Sequence, residues 1–508
     1  MKSELKWGAF LSYVVLLLNN LVGLLYTPFL LRMLGKSEYG LYSISASIIA
    51  YLTILDFGFG NAIVRYTAKY RAEGKKKEQY KAFGFFFILY CAIGVIALVL
   101  GLCVAFHTNV FFDKSMTMME VSRLKIIIFL MLANLAVTFP LSLFTSIISA
   151  YERFVFQKVI IIVRVLLNTL TMVVLLQFGY KAIALAVVAS IFNIATLVSN
   201  CIYCFVKLKI KLYFARIEYS VIKEIVMYSF WMFLNAIIDR IYWSTGQFVL
   251  GAVAGTASVA IFAVSIQLEH MYMSFSTAVT SVFLPKVTSI VTKNVNSEYE
   301  VSELFIKTGR IQYCVMALIL SGFFLFGRSF VTIWAGPDYA ESYIIAMIFF
   351  VPLMIPLIQT LGITILQARN QMKFRSLLYI FISLLSLGFQ IPLSKKYGGI
   401  GCACAISGAL VLGQVITMNV YYQVRQKINI MKFWFEIAKM SVVPLAMTVM
   451  TYAILRNVNF QSPAELVVGI GLYLILYLPL FFVFSMNSYE RGLVVNPVKK
   501  IIEITRRI

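Results

Sequence analysis

Acidic residues are scarce: the 508-residue chain carries 21 Asp+Glu against 44 Lys+Arg, and charged residues of both signs make up only 13% of it. So little charge leaves too little polar surface for a soluble fold. It also excludes a nucleic-acid binder, which displays its basic residues as a patch on a polar surface. Histidine is scarcer still. His107 and His270 are the only two, far apart and without companion ligands, so no zinc site can be assembled from them. The seven cysteines, Cys91, Cys103, Cys201, Cys204, Cys314, Cys402 and Cys404, all fall inside apolar runs, and their odd number argues against a disulfide framework. Cys201-x-x-Cys204 lies within one such run beside Ile and Tyr and reads as packing. A phosphate loop is missing too: Gly35-Lys36-Ser37 resembles the end of a Walker A motif, but Leu30 stands where that motif needs its first glycine. No ATPase module and no cofactor are therefore expected.

What the chain has is apolar sequence, 61% of it, in runs of about 20 residues separated by short basic segments. Its fold class follows as an all-α integral membrane protein with about 14 transmembrane helices. The expected spans are 9–31, 41–63, 82–106, 124–149, 156–178, 182–206, 226–250, 256–284, 309–333, 341–366, 376–394, 399–424, 438–456 and 464–486. The first follows Lys2 and Lys6 like a signal peptide, but it is too long and lacks a small-residue cleavage site, so it is expected to be a retained helix.

Basic residues sort by alternate connections. Of the 44, 32 fall on the side of the N terminus, 10 on the other, span-end residues counted with their side, and only Arg164 and Arg240 are left inside the membrane. A missed or spurious span would swap sides downstream and blur this contrast. Both termini are therefore expected in the cytoplasm of a multi-pass plasma-membrane protein.

An internal repeat organises the spans. Leu34-Gly35 … Gly40-Leu41-Tyr42-Ser43-Ile44-Ser45 returns loosely, 220 residues later, as Ala254-Gly255 … Ala260-Ile261-Phe262-Ala263-Val264-Ser265. Six spans separate the copies, so the second half enters the membrane in the same direction as the first. The expected layout is two six-helix bundles related by a pseudo-two-fold axis along the membrane normal. The expected divisions are an N-terminal lobe (1–206), a cytoplasmic linker (207–225), a C-terminal lobe (226–424), and two extra helices with a basic tail (425–508).

Charges inside spans are costly and usually face a bundle interior or a water-filled cavity. They are Asp56, Arg164, the neighbours Asp239 and Arg240, and Glu269 beside His270. The 220-residue offset matches Asp239 and Arg240 to Asn19 and Asn20, which places a polar pair at the same depth in each half. With Asn235, these residues are candidates for a polar cavity or for ion coupling; Asp239 and Arg240 could instead hold helices together, and Asp56 could be a cap or hinge. Arg65 is an anion contact or simply snorkels to the interface.

Leu31-Arg32-Met33-Leu34-Gly35 … Tyr39-Gly40-Leu41-Tyr42, then Leu55-Asp56-Phe57-Gly58-Phe59-Gly60 and Arg65-Tyr66 … Tyr70-Arg71, resembles the N-terminal signature of the bacterial oligosaccharide flippases. These form the polysaccharide branch of the multidrug/oligosaccharidyl-lipid/polysaccharide exporter superfamily. The span count, the basic loop after the second helix, the repeat and Ile238-Asp239-Arg240 extend the likeness along the chain. The resemblance implies two six-helix lobes in a V, alternating access, and movement of undecaprenyl-pyrophosphate-linked oligosaccharide to the outer leaflet for O-antigen, capsule or exopolysaccharide synthesis.

Such cargo has a polar head that cannot cross hydrocarbon and a tail that can stay in it, so the task asks for a hydrated, partly cationic cleft. Arg32, Arg65, Arg164 and Arg240 are the candidate pyrophosphate contacts, because guanidinium pairs bidentately with phosphoryl oxygens. Asp56, Asp239 and Glu269 could bind sugar hydroxyls or a coupling proton or sodium ion, and Trp231, Tyr242 and Trp243 could stack on sugar rings. Glycosyltransferases, a polysaccharide polymerase and membrane lipids are the expected partners, and nucleic acid is not. The alternatives are an ion-coupled multidrug antiporter or a peptidoglycan-precursor flippase of the same fold, and a membrane polymerase or glycosyltransferase. An outer connection at 107–123 whose only acids are Asp113 and Glu120 argues against the enzyme.

Overall fold

A helix of 75 residues, α8 (Tyr219–Lys293), would run about 110 Å if straight, several times the roughly 30 Å hydrocarbon thickness of a bilayer. It is not straight. In the computed structural model Gly255 leaves helical geometry at φ 80, ψ 178 and divides α8 into two spans. The same happens in α1 (Lys2–Leu52), where Gly35 sits at φ 73, ψ 172. The two elbows are 220 residues apart and share one backbone conformation, open to glycine at little cost because it has no Cβ. The loose sequence repeat is thus a geometric repeat.

The model describes residues 2–493 and 495, other than 216–218, 294–297, 370, 457, 459 and 461. The side chains of 277–293, of several positions between 220 and 243 and of a few others lie outside that description. The described residues form helices joined by short turns and irregular segments, without a strand. After α1 come α2 (Phe59–Ala72), α3 (Lys76–Phe106), α4 (Thr108–Phe112), α5 (Met118–Ala150), α6 (Phe154–Gln177) and α7 (Ala182–Val206). Beyond α8 lie α9 (Glu298–Trp334), α10 (Glu341–Ile358), α11 (Leu361–Ala368), α12 (Met372–Leu410), α13 (Met418–Val424), α14 (Ile430–Leu455) and α15 (Pro463–Phe484). A π-helical turn, Val411–Thr417, joins α12 to α13.

Eleven of these stretches are long and apolar enough to span a membrane. Three of them, Phe10–Ala72, Ser244–Ser276 and Met372–Val424, contain an elbow, at Gly35, Gly255 and Gly398, which accounts for the expected fourteen. Two expected spans are interrupted, and one of them, 341–366, breaks at Gln359 and Thr360 between α10 and α11. The expected span 41–63 is broken where Thr53–Asp56 tightens into a 3₁₀ turn and Phe57 and Gly58 take left-handed conformations before α2 begins. The Asp56 carboxylate accepts from the Tyr90 hydroxyl at 2.7 Å and from the backbone of Gly58 and Gly60, which satisfies donors the break would orphan.

The chain forms two compact units. The first comprises 1–263 and 383–402 and is built around α5, which packs along both α3 and α7. Without a hydrophobic drive between helices in lipid, close packing needs small residues. On α3, Gly94, Ala97, Gly101 and Ala105 form a buried stripe, and a Cβ at Gly94 would come within 2.8 Å of the Ala136 carbonyl oxygen of α5. The second unit comprises 264–382 and 403–508, with α9 packed against α10 and α14.

Candidate functional site

The expected anion contacts Arg32, Arg65, Arg164 and Arg240 all belong to the first unit, whereas Glu269 and His270 belong to the second. Arg164, midway along α6, is half-buried and donates to the Asn193 side-chain oxygen at 3.3 Å. Asn193 in turn donates to Asn134 at 3.0 Å and Thr138 at 2.9 Å on α5. The polar seam continues along the same helices, with Asn200 donating to Thr145 at 2.9 Å and Gln157 to Ser149 at 3.0 Å. A guanidinium in mid-span is thereby oriented by neutral amides and a hydroxyl, with no carboxylate among these partners to cancel its charge.

The other arginines are exposed. Arg65 lies 3.8 Å from Glu224, with both side chains about half exposed, and Arg32 and Arg240 are exposed on α1 and α8. Asn19 is exposed, and Asn20, half-buried, donates back to the Leu16 carbonyl at 3.1 Å. The side chains of Asn235 and Asp239, and of Trp231 and Trp243, lie outside the described residues. Tyr242 is buried. In the turn between α2 and α3, Lys75 donates to Glu73 at 2.8 Å and holds that carboxyl below its usual range.

In the second unit Glu269 is fully buried, and among the described residues neither of its oxygens accepts a hydrogen bond. His270, its neighbour, is 63% exposed, and its Nδ1 lies 3.8 Å from the carboxylate. On the same face of α8, Ser276 receives the Gln312 amide at 3.0 Å, and that amide also reaches Thr360 at 2.5 Å. A second amide pair, Gln359 and Asn419, is joined by the Trp434 indole N–H, which donates to Asn419 at 2.9 Å. An almost wholly apolar cavity of about 610 Å³ lies between α9, α10 and α14, with Tyr313, Phe324, Met354, Trp434 and Tyr452 in its walls.

The family described as "Polysaccharide biosynthesis protein" matches residues 5–291, more than half of the chain. The chain belongs to that family. It is similar to "Uncharacterized membrane protein EpsK" of Bacillus subtilis (strain 168), 22% identical over 450 residues that cover 83% of each chain. It is also similar to the "Putative O-antigen transporter" of Shigella flexneri, 20% identical over 406 residues, 77% of this chain and 92% of that one. Its fold matches that of the lipid II flippase MurJ in an inward closed conformation, with a TM-score of 0.72 at 17% identity over 96% of this chain and 99% of that one. An inward-facing multidrug resistance MATE family transporter of the MOP superfamily matches with a TM-score of 0.62 at 13% identity, covering 81% and 96% of the two chains. This polysaccharide biosynthesis family member therefore has the MurJ and MATE fold.

Two groups in this family member escaped a search for charges within spans. Asn134, Thr138 and Asn193 are neutral; their signal is the i, i+4 spacing of the first two inside an apolar run. Arg310, Glu436 and Glu490 are charged but sit at span ends, where they look solvated. Instead Arg310 is buried, donating through Nε to Glu490 at 2.6 Å and through Nη1 to Glu436 at 2.7 Å. Its Nη2 reaches the second Glu490 oxygen at 3.0 Å.

Proposed function

We propose that this protein flips undecaprenyl-pyrophosphate-linked oligosaccharide repeat units from the inner to the outer leaflet of the cytoplasmic membrane, by alternating access, with both termini in the cytoplasm. The product would feed O-antigen, capsule or exopolysaccharide assembly, with glycosyltransferases upstream and a polymerase downstream. The observation that carries this reading is the family match over residues 5–291. Support comes from the Arg164 seam, which offers an anionic head group a cation already oriented by amides. The apolar cavity between α9, α10 and α14 suits a hydrocarbon tail better than a sugar.

In this reading the lobes are 1–206 and 226–424, joined by 207–225 and followed by two extra helices, and Arg32, Arg65 and Arg240 pass the head group along. Glu269 carries the coupling ion, because a buried carboxylate without hydrogen-bond donors needs a proton or a cation for company. Asn19, Asn20, Asp56, Asn235, Asp239 and His270 complete the polar lining.

Deleting the gene in its host should remove surface polysaccharide and leave the lipid-linked repeat unit on the cytoplasmic leaflet, measured by extraction and by lectin or antibody accessibility. Normal polymer with raised drug sensitivity would hand the role to an antiporter. Among point variants, Arg240→Ala should lower export per molecule in the membrane more than Trp334→Ala, although the buried Trp334 has the larger side chain and stacks on Phe330 at 5.4 Å. Equal, mild effects would make Arg240 structural.

A further inference from the structure

The two glycine elbows come together around one carboxylate. Glu120, in the first turn of α5, accepts the Ser37 hydroxyl at 2.5 Å, two residues past the Gly35 elbow. The same oxygen accepts the Thr256 hydroxyl at 2.8 Å, one residue past the Gly255 elbow. Its other oxygen accepts the Thr117 backbone N–H at 2.9 Å and the Thr117 hydroxyl at 3.0 Å, while the Glu120 N–H returns to that hydroxyl at 3.3 Å, forming a capping box.

The surroundings are built to the same plan. Ser115 donates to the Gly251 carbonyl at 2.7 Å, and a Cβ on Gly255 would come within 2.9 Å of the Ser115 carbonyl oxygen. Phe112 is fully buried against Phe248, with ring centroids 5.6 Å apart. Gly40 lies so close to Thr256 that a Cβ there would overlap the Thr256 carbonyl. Fully buried Ile44 abuts Gly251. Segment 112–120 is therefore a wedge that touches both halves of the repeat, and only one side chain in it bonds both elbows through hydroxyls.

We propose that Glu120 is the latch that holds the two elbows together at the outer end of the protein, and that the Ser37 and Thr256 bonds must break for that end to open. The proposal rests on the alternating-access reading and on the placement of both termini in the cytoplasm. Within it, Glu120 is a positioning residue and not a substrate contact. The two serving hydroxyls are separable from the cap, because Thr117 bonds only the second carboxylate oxygen and the backbone.

The test places a reporter Ile44→Cys in a chain whose exposed Cys103 and Cys404 are serine, and reads labelling by a membrane-impermeant maleimide. The reagent is applied to whole cells and to inside-out vesicles. With Glu120 intact, labelling from outside should be slow. Glu120→Gln and the pair Ser37→Ala/Thr256→Val should each raise it about tenfold, the scale of losing one net hydrogen bond to a charged group. Thr117→Ala removes the cap alone and should leave labelling at the parent level.

Equal labelling in all variants would overturn the latch. So would an equal rise in Thr117→Ala, which would mean that fraying of α5 is the cause. Labelling confined to inside-out vesicles would overturn the outer placement. Because the assay needs no cargo, its outcome is independent of whether the polymer assay supports polysaccharide flipping.

Discussion

Arg310→Ala should cost the second unit about 3–5 kcal/mol, the usual penalty for leaving a buried carboxylate without its partner. Three separate pieces of chain meet at this guanidinium: α9 supplies Arg310, α14 supplies Glu436, and the segment after α15 supplies Glu490 together with the Ser485 carbonyl, which accepts from Nη2 at 3.3 Å. Glu490 is 3% exposed and would be stranded, whereas Glu436 is 25% exposed and also pairs with Lys439 at 3.2 Å. The expected order of damage is therefore Arg310→Ala, then Glu490→Gln, then Glu436→Gln, measured as the apparent melting temperature and membrane yield of the detergent-solubilised protein. Arg310→Met combined with Glu490→Leu should be milder than Arg310→Ala alone, since it removes the buried carboxylate together with its partner and leaves only the partly exposed Glu436, which keeps Lys439. If the double variant is as damaged as the single one, packing and not charge holds the site.

Gly40→Val should be nearly as harmful, for a steric reason. The atom in the way is the Thr256 carbonyl oxygen, part of a backbone that cannot swing aside as a flexible side chain would. Overpacking of this kind costs about 1–3 kcal/mol, and here the strain falls between the two elbows, so export should fall even where folded protein remains. Gly388→Ala provides the contrast, because a Cβ at Gly388 meets nothing within 4 Å. That change sits inside α12 and should be neutral or slightly stabilising, as glycine is the weaker helix former. A Gly40→Val protein with normal export and normal thermal stability would show that α1 and α8 need not approach this closely.

The membrane architecture was legible because hydrocarbon imposes one rule along the whole chain. The expected span 182–206 coincides with α7 (Ala182–Val206), and the loose Gly35 and Gly255 match, read only as a repeat of span pairs, turns out to mark a shared elbow. A second pair, Gly179 and Gly398, both at positive φ and 219 residues apart, leaves a weaker trace in the sequence because Tyr180 follows one glycine and Gly399 the other. The break at Thr53–Gly58 was hidden for another reason: Leu55, Phe57 and Phe59 keep the stretch apolar, so hydropathy alone runs straight through it. The site was harder. Arg164 stood out as a charge in a span, but its neutral partners Asn134, Thr138 and Asn193 come from two other helices. The Arg310 cluster joins positions up to 180 residues apart, and pairing at that separation leaves no periodic trace.

The elbow at Gly255 also bears on how the protein is made. Between Arg240 and Glu269 the chain carries no charged side chain, so the turn joining the two halves of α8 has almost nothing polar to drag through the bilayer. The two spans can partition as one hairpin during synthesis, with the turn crossing as a tip and not as a loop. A charged tag placed at Gly255 would burden that insertion step, and the defect would show in newly made chains before any folded protein existed to be impaired.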